Sequence, residues 1–137
     1  MQRPIDHHSA LIFTMVLVSA AEGDMTDAEL DSIGRQVRYL PIFRDFDNDR
    51  LPTVGRQCAD LLNQDEGLTL ACAMIAEALP GQLRETAYAL ACDVAAADGA
   101  LAQEERHLLD MLRRELNVDR LVAAAIERSA YARHLEL

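Results

Sequence analysis

The chain has 137 residues, half of them apolar, with aromatics at only 4% and no tryptophan. That length suits one domain, expected to span 1–137, with a core large enough to stand without disulfide or metal staples. The formal charge of −10 argues against a nucleic-acid binder, whose footprint is basic. It also disfavours docking on anionic lipid, and it suits a cation or a basic protein surface.

Alanine, leucine, glutamate and arginine dominate, and all are good helix formers. β-Branched and aromatic residues never alternate in a run, so the sequence predicts no strand. The fold class is all-α: one compact bundle of about seven helices containing two related helical hairpins.

The first helix is expected over 8–21, ending at Glu22-Gly23, where Gly23 suits a left-handed cap. The apolar run from Leu11 to Ala21 has some features of a secretory leader, including Val18-Ser19-Ala20. It is too short to span a bilayer, and Asp6, His7 and His8 precede it, so a structural helix is expected instead. Thr26-Asp27-Ala28-Glu29 reads as a capping box, with Thr26 at the N-cap and Glu29 three residues on. That helix runs to about Tyr39, with Leu30, Ile33, Val37 and Leu40 on its apolar side, and Pro41 stops it.

Residues 41–50 form a connector with room for a short helical turn. A third helix starts at Leu51-Pro52, with Pro52 at a favoured first position, and reaches Asn63. Asp65 or a neighbour should cap a fourth helix through Leu79, and Pro80-Gly81 breaks the chain. A fifth helix covers about 82–97 and ends at Asp98-Gly99. A sixth covers about 102–116, Asn117 ends it, and Asp119 caps a seventh over about 120–133.

Cys58, Cys72 and Cys92 stand apart, with no C-x-x-C spacing. An odd, scattered set reads as reduced thiols of a cytoplasmic protein, used as small core residues. The leucines at 108, 109, 112 and 116 have helical spacing and read as core, as do Leu68, Ala71, Cys72, Ile75 and Leu79.

The sequence also repeats itself. The stretch Ser19 to Glu29 matches Ala95 to Glu105 in the pattern small-small-acid-Gly-x-apolar-x-x-x-Glu. Glu22 and Asp98 are 76 positions apart, as are Glu29 and Glu105, Val18 and Val94, and Ile33 and Leu109. Glu22 and Asp98 fall at or just past a helix C-terminus, where an exposed carboxylate is disfavoured by ~0.3–1 kcal/mol. Either the free N–H groups of the next helix compensate it, or a bound cation does. Glu29 has a capping role with Thr26. Glu105 lacks that partner, because Ala102 holds the matching position.

If the two turns meet, Glu22, Glu29, Asp98 and Glu105 converge. Two carboxylates ~4 Å apart repel by about 4 kcal/mol at an effective dielectric near 20. Such a cluster would need a cation, a proton or many N–H donors. Oxygen-only ligands suit a divalent cation such as calcium, magnesium or manganese.

Val94-Ala95-Ala96-Ala97-Asp98-Gly99-Ala100-Leu101-Ala102-Gln103-Glu104-Glu105-Arg106 resembles the signature of the TerB-like tellurite-resistance family. Val18 to Leu30 resembles its degenerate first copy, and the resemblance covers roughly 8–119. It implies an all-helical domain in two antiparallel groups, with metal-binding acidic residues near the paired turns. It implies a setting in bacterial tellurite resistance and related stress responses, beside membrane-associated and other stress proteins, and no catalytic reaction. Asp98 and Glu105 match best. Glu22 replaces the more usual aspartate, and Asp24 has no acidic counterpart because Ala100 stands there.

Other constellations carry less. Asp45, Asp47 and Asp49 are spaced like the opening of an EF-hand, but Arg50 stands where glycine is needed and Arg56 where the closing glutamate is needed. A polar turn capping the next helix is expected there. His7 and His8 read as a surface helix start, His107 and His134 lack ligand spacing, and Arg113-Arg114 reads as a solvated face. No nucleophile elbow or phosphate-cradling glycine loop is present.

The functional expectation is a non-enzymatic stress-response module. It would bind a protein partner with a basic surface and hold a divalent cation, without nucleic acid and without direct insertion into a membrane. A metal-independent acidic scaffold is the alternative. A metal-dependent hydrolase is the third reading, and no His or Lys base accompanies the carboxylates to support it.

Overall fold

The computed structural model describes residues 4–21, 26–97 and 103–137. Seven α-helices are found: α1 (His7–Ala20), α2 (Asp27–Tyr39), α3 (Leu51–Leu62), α4 (Gly67–Ala78), α5 (Gly81–Ala96), α6 (Gln103–Glu115) and α7 (Arg120–Arg133). Two single-turn 3-10 helices, Pro41–Phe43 and Asn48–Arg50, fill the connector between α2 and α3. Among the described residues there is no strand, and no helix is long and apolar enough to cross a membrane.

Helix α1 is the axis of the molecule. It packs against α2, α3, α4, α5 and α6, and every residue from His8 to Ser19 is buried. A helix apolar on all sides needs cover on all sides, which is why Leu11–Val18 reads as a continuous apolar run rather than a stripe. Two of its three buried hydroxyls bond back along the helix itself. Thr14 Oγ1 donates to the Ala10 carbonyl at 2.8 Å, and Ser19 Oγ donates to the Met15 carbonyl at 3.1 Å. Asp6 caps α1 by accepting from Ser9 N at 2.7 Å.

Helix α5 is the second hub, packing on α1, α2, α6 and α7. Its buried Ala87, Ala91 and Ala95 recur every fourth residue, a narrow stripe that lets neighbours approach closely.

The joint between α3 and α4 departs from the expected cap. Asp65 does not cap α4. Instead Glu66 adopts a left-handed conformation (φ 59°) at the N-cap with no side-chain hydrogen bond. A Cβ on Gly67 would lie 2.1 Å from the Leu61 carbonyl oxygen, so only glycine fits where α4 turns back on α3. Asn117 takes a left-handed conformation (φ 55°) after α6, and Asp119 caps α7 through Leu121 N and Val122 N.

Two expected core leucines lie at the surface, Leu30 (53% exposed) and Leu68 (40%). Each stands in the first turn of its helix beside a residue that is itself buried, Glu29 or Gly67. All three cysteines are buried. Burial pushes the thiols of Cys58 and Cys92 up to about 12 and that of Cys72 up to about 11, so they act as small apolar groups at neutral pH.

Candidate functional site

The helices on either side of the two repeated segments are alike. In both copies a long helix enters the turn and a shorter, more amphipathic one leaves it, giving the hairpins α1–α2 and α5–α6. The matched apolar positions are buried in both: Val18 and Val94 at 0% exposed, Ile33 at 4% and Leu109 at 7%. The open ends close alike too. At the start of α1, His8 Nε2 donates to the Ile42 carbonyl just past α2, at 2.8 Å. At the start of α5, 76 positions on, Arg84 donates to the Leu116 carbonyl just past α6, at 3.4 Å. Arg84 also reaches Ala76 O (2.8 Å) and Leu79 O (3.4 Å), tying down the end of α4.

Of the four acidic residues singled out by the repeat, Glu29 and Glu105 are described. Glu22 and Asp98 lie outside the described residues, as do Gly23 and Ala102. Glu29 is only 2% exposed. Its Oε1 accepts from Thr26 N at 2.9 Å, and Glu29 N donates to Thr26 Oγ1 at 3.1 Å, completing a capping box. Glu105 is fully buried, at 0% exposed, in the first turn of α6. Both glutamates therefore belong to the first turn of a helix, where the dipole and free N–H groups favour negative charge.

The far end of the first hairpin also touches the turn end of the second. Gln36 Nε2, near the end of α2, donates to Asp93 Oδ2, near the end of α5, at 3.2 Å. Glu29 lies seven residues before Gln36, about 10 Å along the helix axis. The approach to the second turn thus meets α2 away from its first turn. Asp93 is further held by Arg133 of α7, so one carboxylate links three helices. Among the described residues no three His, Cys, Asp or Glu side chains form a group suited to a metal ion.

One residue read from sequence as surface is interior, and a second is largely covered. His8 is 7% exposed. Its ring lies 5.6 Å from that of Phe43 and 5.2 Å from that of Phe46, with Asp45 Oδ1 3.3 Å from Nε2. Because carbonyl and carboxylate are both acceptors, Nε2 carries the proton. Arg113 is also mostly covered, donating to the Val118 carbonyl at 3.4 Å. The Asp45–Asp49 stretch forms a capping turn, with Asp47 Oδ1 accepting from Asp49 N at 3.0 Å.

A protein-family model described as "Tellurite resistance protein TerB" matches residues 8–128. The chain belongs to the TerB family. The match begins with α1 and ends inside α7, so it takes in both hairpins and the α3–α4 pair between them. Searches among curated proteins and solved structures found no significant match. TerB domains are not in general catalytic.

Proposed function

We propose that this TerB domain is a non-catalytic, cytoplasmic stress-response module of the tellurite-resistance type that docks a partner protein through a basic surface on that partner. A divalent cation (calcium, magnesium or manganese) held by Glu22, Glu29, Asp98 and Glu105 would set the shape of the docking face. The observation carrying this reading is the burial of Glu29 and Glu105 at matching places in two hairpins. A chain of net charge −10 gains little from burying carboxylates twice unless positive charge or N–H donors meet them.

Calorimetry with each ion in turn tests the cation. A binding heat is expected that Asp98→Asn combined with Glu105→Gln abolishes while the helical circular dichroism stays intact. Stoichiometry adds geometry: one ion per chain means pooled carboxylates, whereas two mean one ion per turn. The capping box of Glu29 favours a second reading, in which the acids only cap helices and the acidic surface docks its partner without metal. In that case no ion gives heat and the double variant melts lower. Partner capture that weakens between low and high salt supports acidic docking, and capture indifferent to salt rejects it.

A further inference from the structure

Helices α6 and α7 both pack on α5 but make at most marginal contact with each other. The gap between them is a groove of about 530 Å³, within the range of small-molecule sites. Its floor includes Cys92, Ala95 and Ala96 of α5 and Ala130 of α7. Three of these four are alanines, and Leu109, Tyr131 and Leu135 add apolar surface around them. The Cys92 thiol, held at about 12 by burial, brings no charge to the floor.

The rim is polar, and its carboxylates are already engaged. Asp110 pairs with Arg113 at 3.6 Å and also with Arg114. Glu127 accepts the Tyr88 hydroxyl at 2.7 Å, and burial together with that carboxylate raises the Tyr88 pKa, so the phenol remains a donor. Arg106, by contrast, is exposed and makes no hydrogen bond or ion pair among the described residues. On the opposite wall, His134 Nδ1 donates to Ala130 O at 2.8 Å, which leaves Nε2 available. The spare hydrogen-bonding capacity of the rim therefore includes the Arg106 guanidinium, the His134 Nε2 and the Tyr131 hydroxyl.

We propose that this groove binds a small amphipathic carboxylate, its apolar body on the alanine floor and its carboxylate on Arg106. A guanidinium presents paired N–H donors in the fork that a carboxylate matches. A cationic amphiphile of equal length would meet Arg106 as a like charge, with Asp110 and Glu127 already occupied. The groove adjoins the second acidic turn, which Ala96 and Arg106 flank, but none of Glu22, Glu29, Asp98 and Glu105 is among its lining residues.

Amide NMR titration of the whole chain with decanoate, below its micelle concentration, tests this, with decyltrimethylammonium run in parallel. Decanoate should shift amides of α5, α6 and α7 and bind at least about tenfold more tightly than the ammonium probe, a difference of about 1.4 kcal/mol. Arg106→Gln, at an exposed position, should weaken decanoate at least about tenfold with circular dichroism unchanged. Ala96→Leu should fill the floor and remove binding. The proposal is overturned by absent shifts, by shifts centred on other helices, by equal affinity for the two probes, or by an Arg106→Gln variant that binds decanoate as before.

Discussion

Helices α1 and α5 hold corresponding places in the two hairpins, yet their side chains differ in bulk. Where α1 carries Leu11, Phe13 and Met15, α5 carries Ala87, Ala89 and Ala91, and Leu17 is answered by Asp93. The first helix is enclosed by five others and fills the centre. The second is covered by fewer, keeps a polar link to α2 and α7 through Asp93, and borders an open groove. One backbone pattern thus serves two purposes, a core post and a platform, and the choice is made by side-chain volume.

The most damaging way to erase the distinction is to give α1 the alanines of α5. Leu11, fully buried, has Ala87 as its counterpart. Leu11→Ala should cost roughly 2–5 kcal/mol through lost transfer energy and the cavity left behind, read as a drop in the guanidinium midpoint at unchanged slope. The reverse change, Ala91→Leu, should cost about 1–3 kcal/mol by overpacking. An Ala91→Leu variant as stable as the parent would mean that α5 has slack on its buried face.

Next in size is the closure of the open ends. Arg84 satisfies three carbonyls from the ends of α4 and α6, while His8 satisfies one. Arg84→Met, which keeps much of the stem, should lose roughly 1.5–3 kcal/mol, as hydrogen bonds to charged groups do. His8→Phe should leave the Ile42 carbonyl without its donor and cost about 1–3 kcal/mol. Equal losses would show that aromatic packing on Phe43 and Phe46, rather than donor number, sets the value of the first closure.

A third contrast appears at alkaline pH, since Cys92 stands where α1 has Val16. The thiol ordinarily ionises at 9.0 and is pushed up to about 12 in the fold. Above pH 9 the unfolded chain therefore gives up this proton first. The contribution to stability is complete below pH 9 and declines between 9 and 12, at about 1.4 kcal/mol per pH unit for each thiol. Cys58 and Cys72 act in the same direction. The chain contains no lysine, so side-chain titration in this window falls to cysteine and tyrosine. Cys92→Val should flatten the decline by one thiol's share in denaturation curves recorded from pH 8 to 11.

Helix positions were legible because punctuation was strong: Pro41, Pro52, Pro80-Gly81, Asn117 and Asp119 bracket the elements within a residue or two. The repeat was legible too, since Glu29 and Glu105 are both buried as matched positions should be. His8 was not. Its environment comes from Ile42, Phe43, Asp45 and Phe46, about 34 residues or more away, and no local period encodes such a meeting. Leu30 and Leu68 failed for a related reason, because helical periodicity marks a face but not which of two adjoining residues the fold covers. The groove was equally hidden. Alanines at 95, 96 and 130 are ordinary helix formers in sequence and become a floor only once α6 and α7 diverge over α5.

The smallest effect concerns the two turns themselves. Thr26 and Glu29 complete a capping box at the start of α2, whereas the matching residues of the second copy are Ala102 and Glu105. Thr26→Ala should destabilise by about 1 kcal/mol, as loss of an N-cap hydroxyl generally does. Ala102→Thr is the sharper experiment. If the second glutamate serves a cap and wants only its hydroxyl partner, the substitution should raise stability by roughly 0.5–1 kcal/mol, seen as a higher melting temperature. If Glu105 is committed to an ion, the new hydroxyl should bring no such gain, and added calcium, magnesium or manganese should stabilise parent and variant equally. The sign of that change decides whether the two glutamates share a role or only a position.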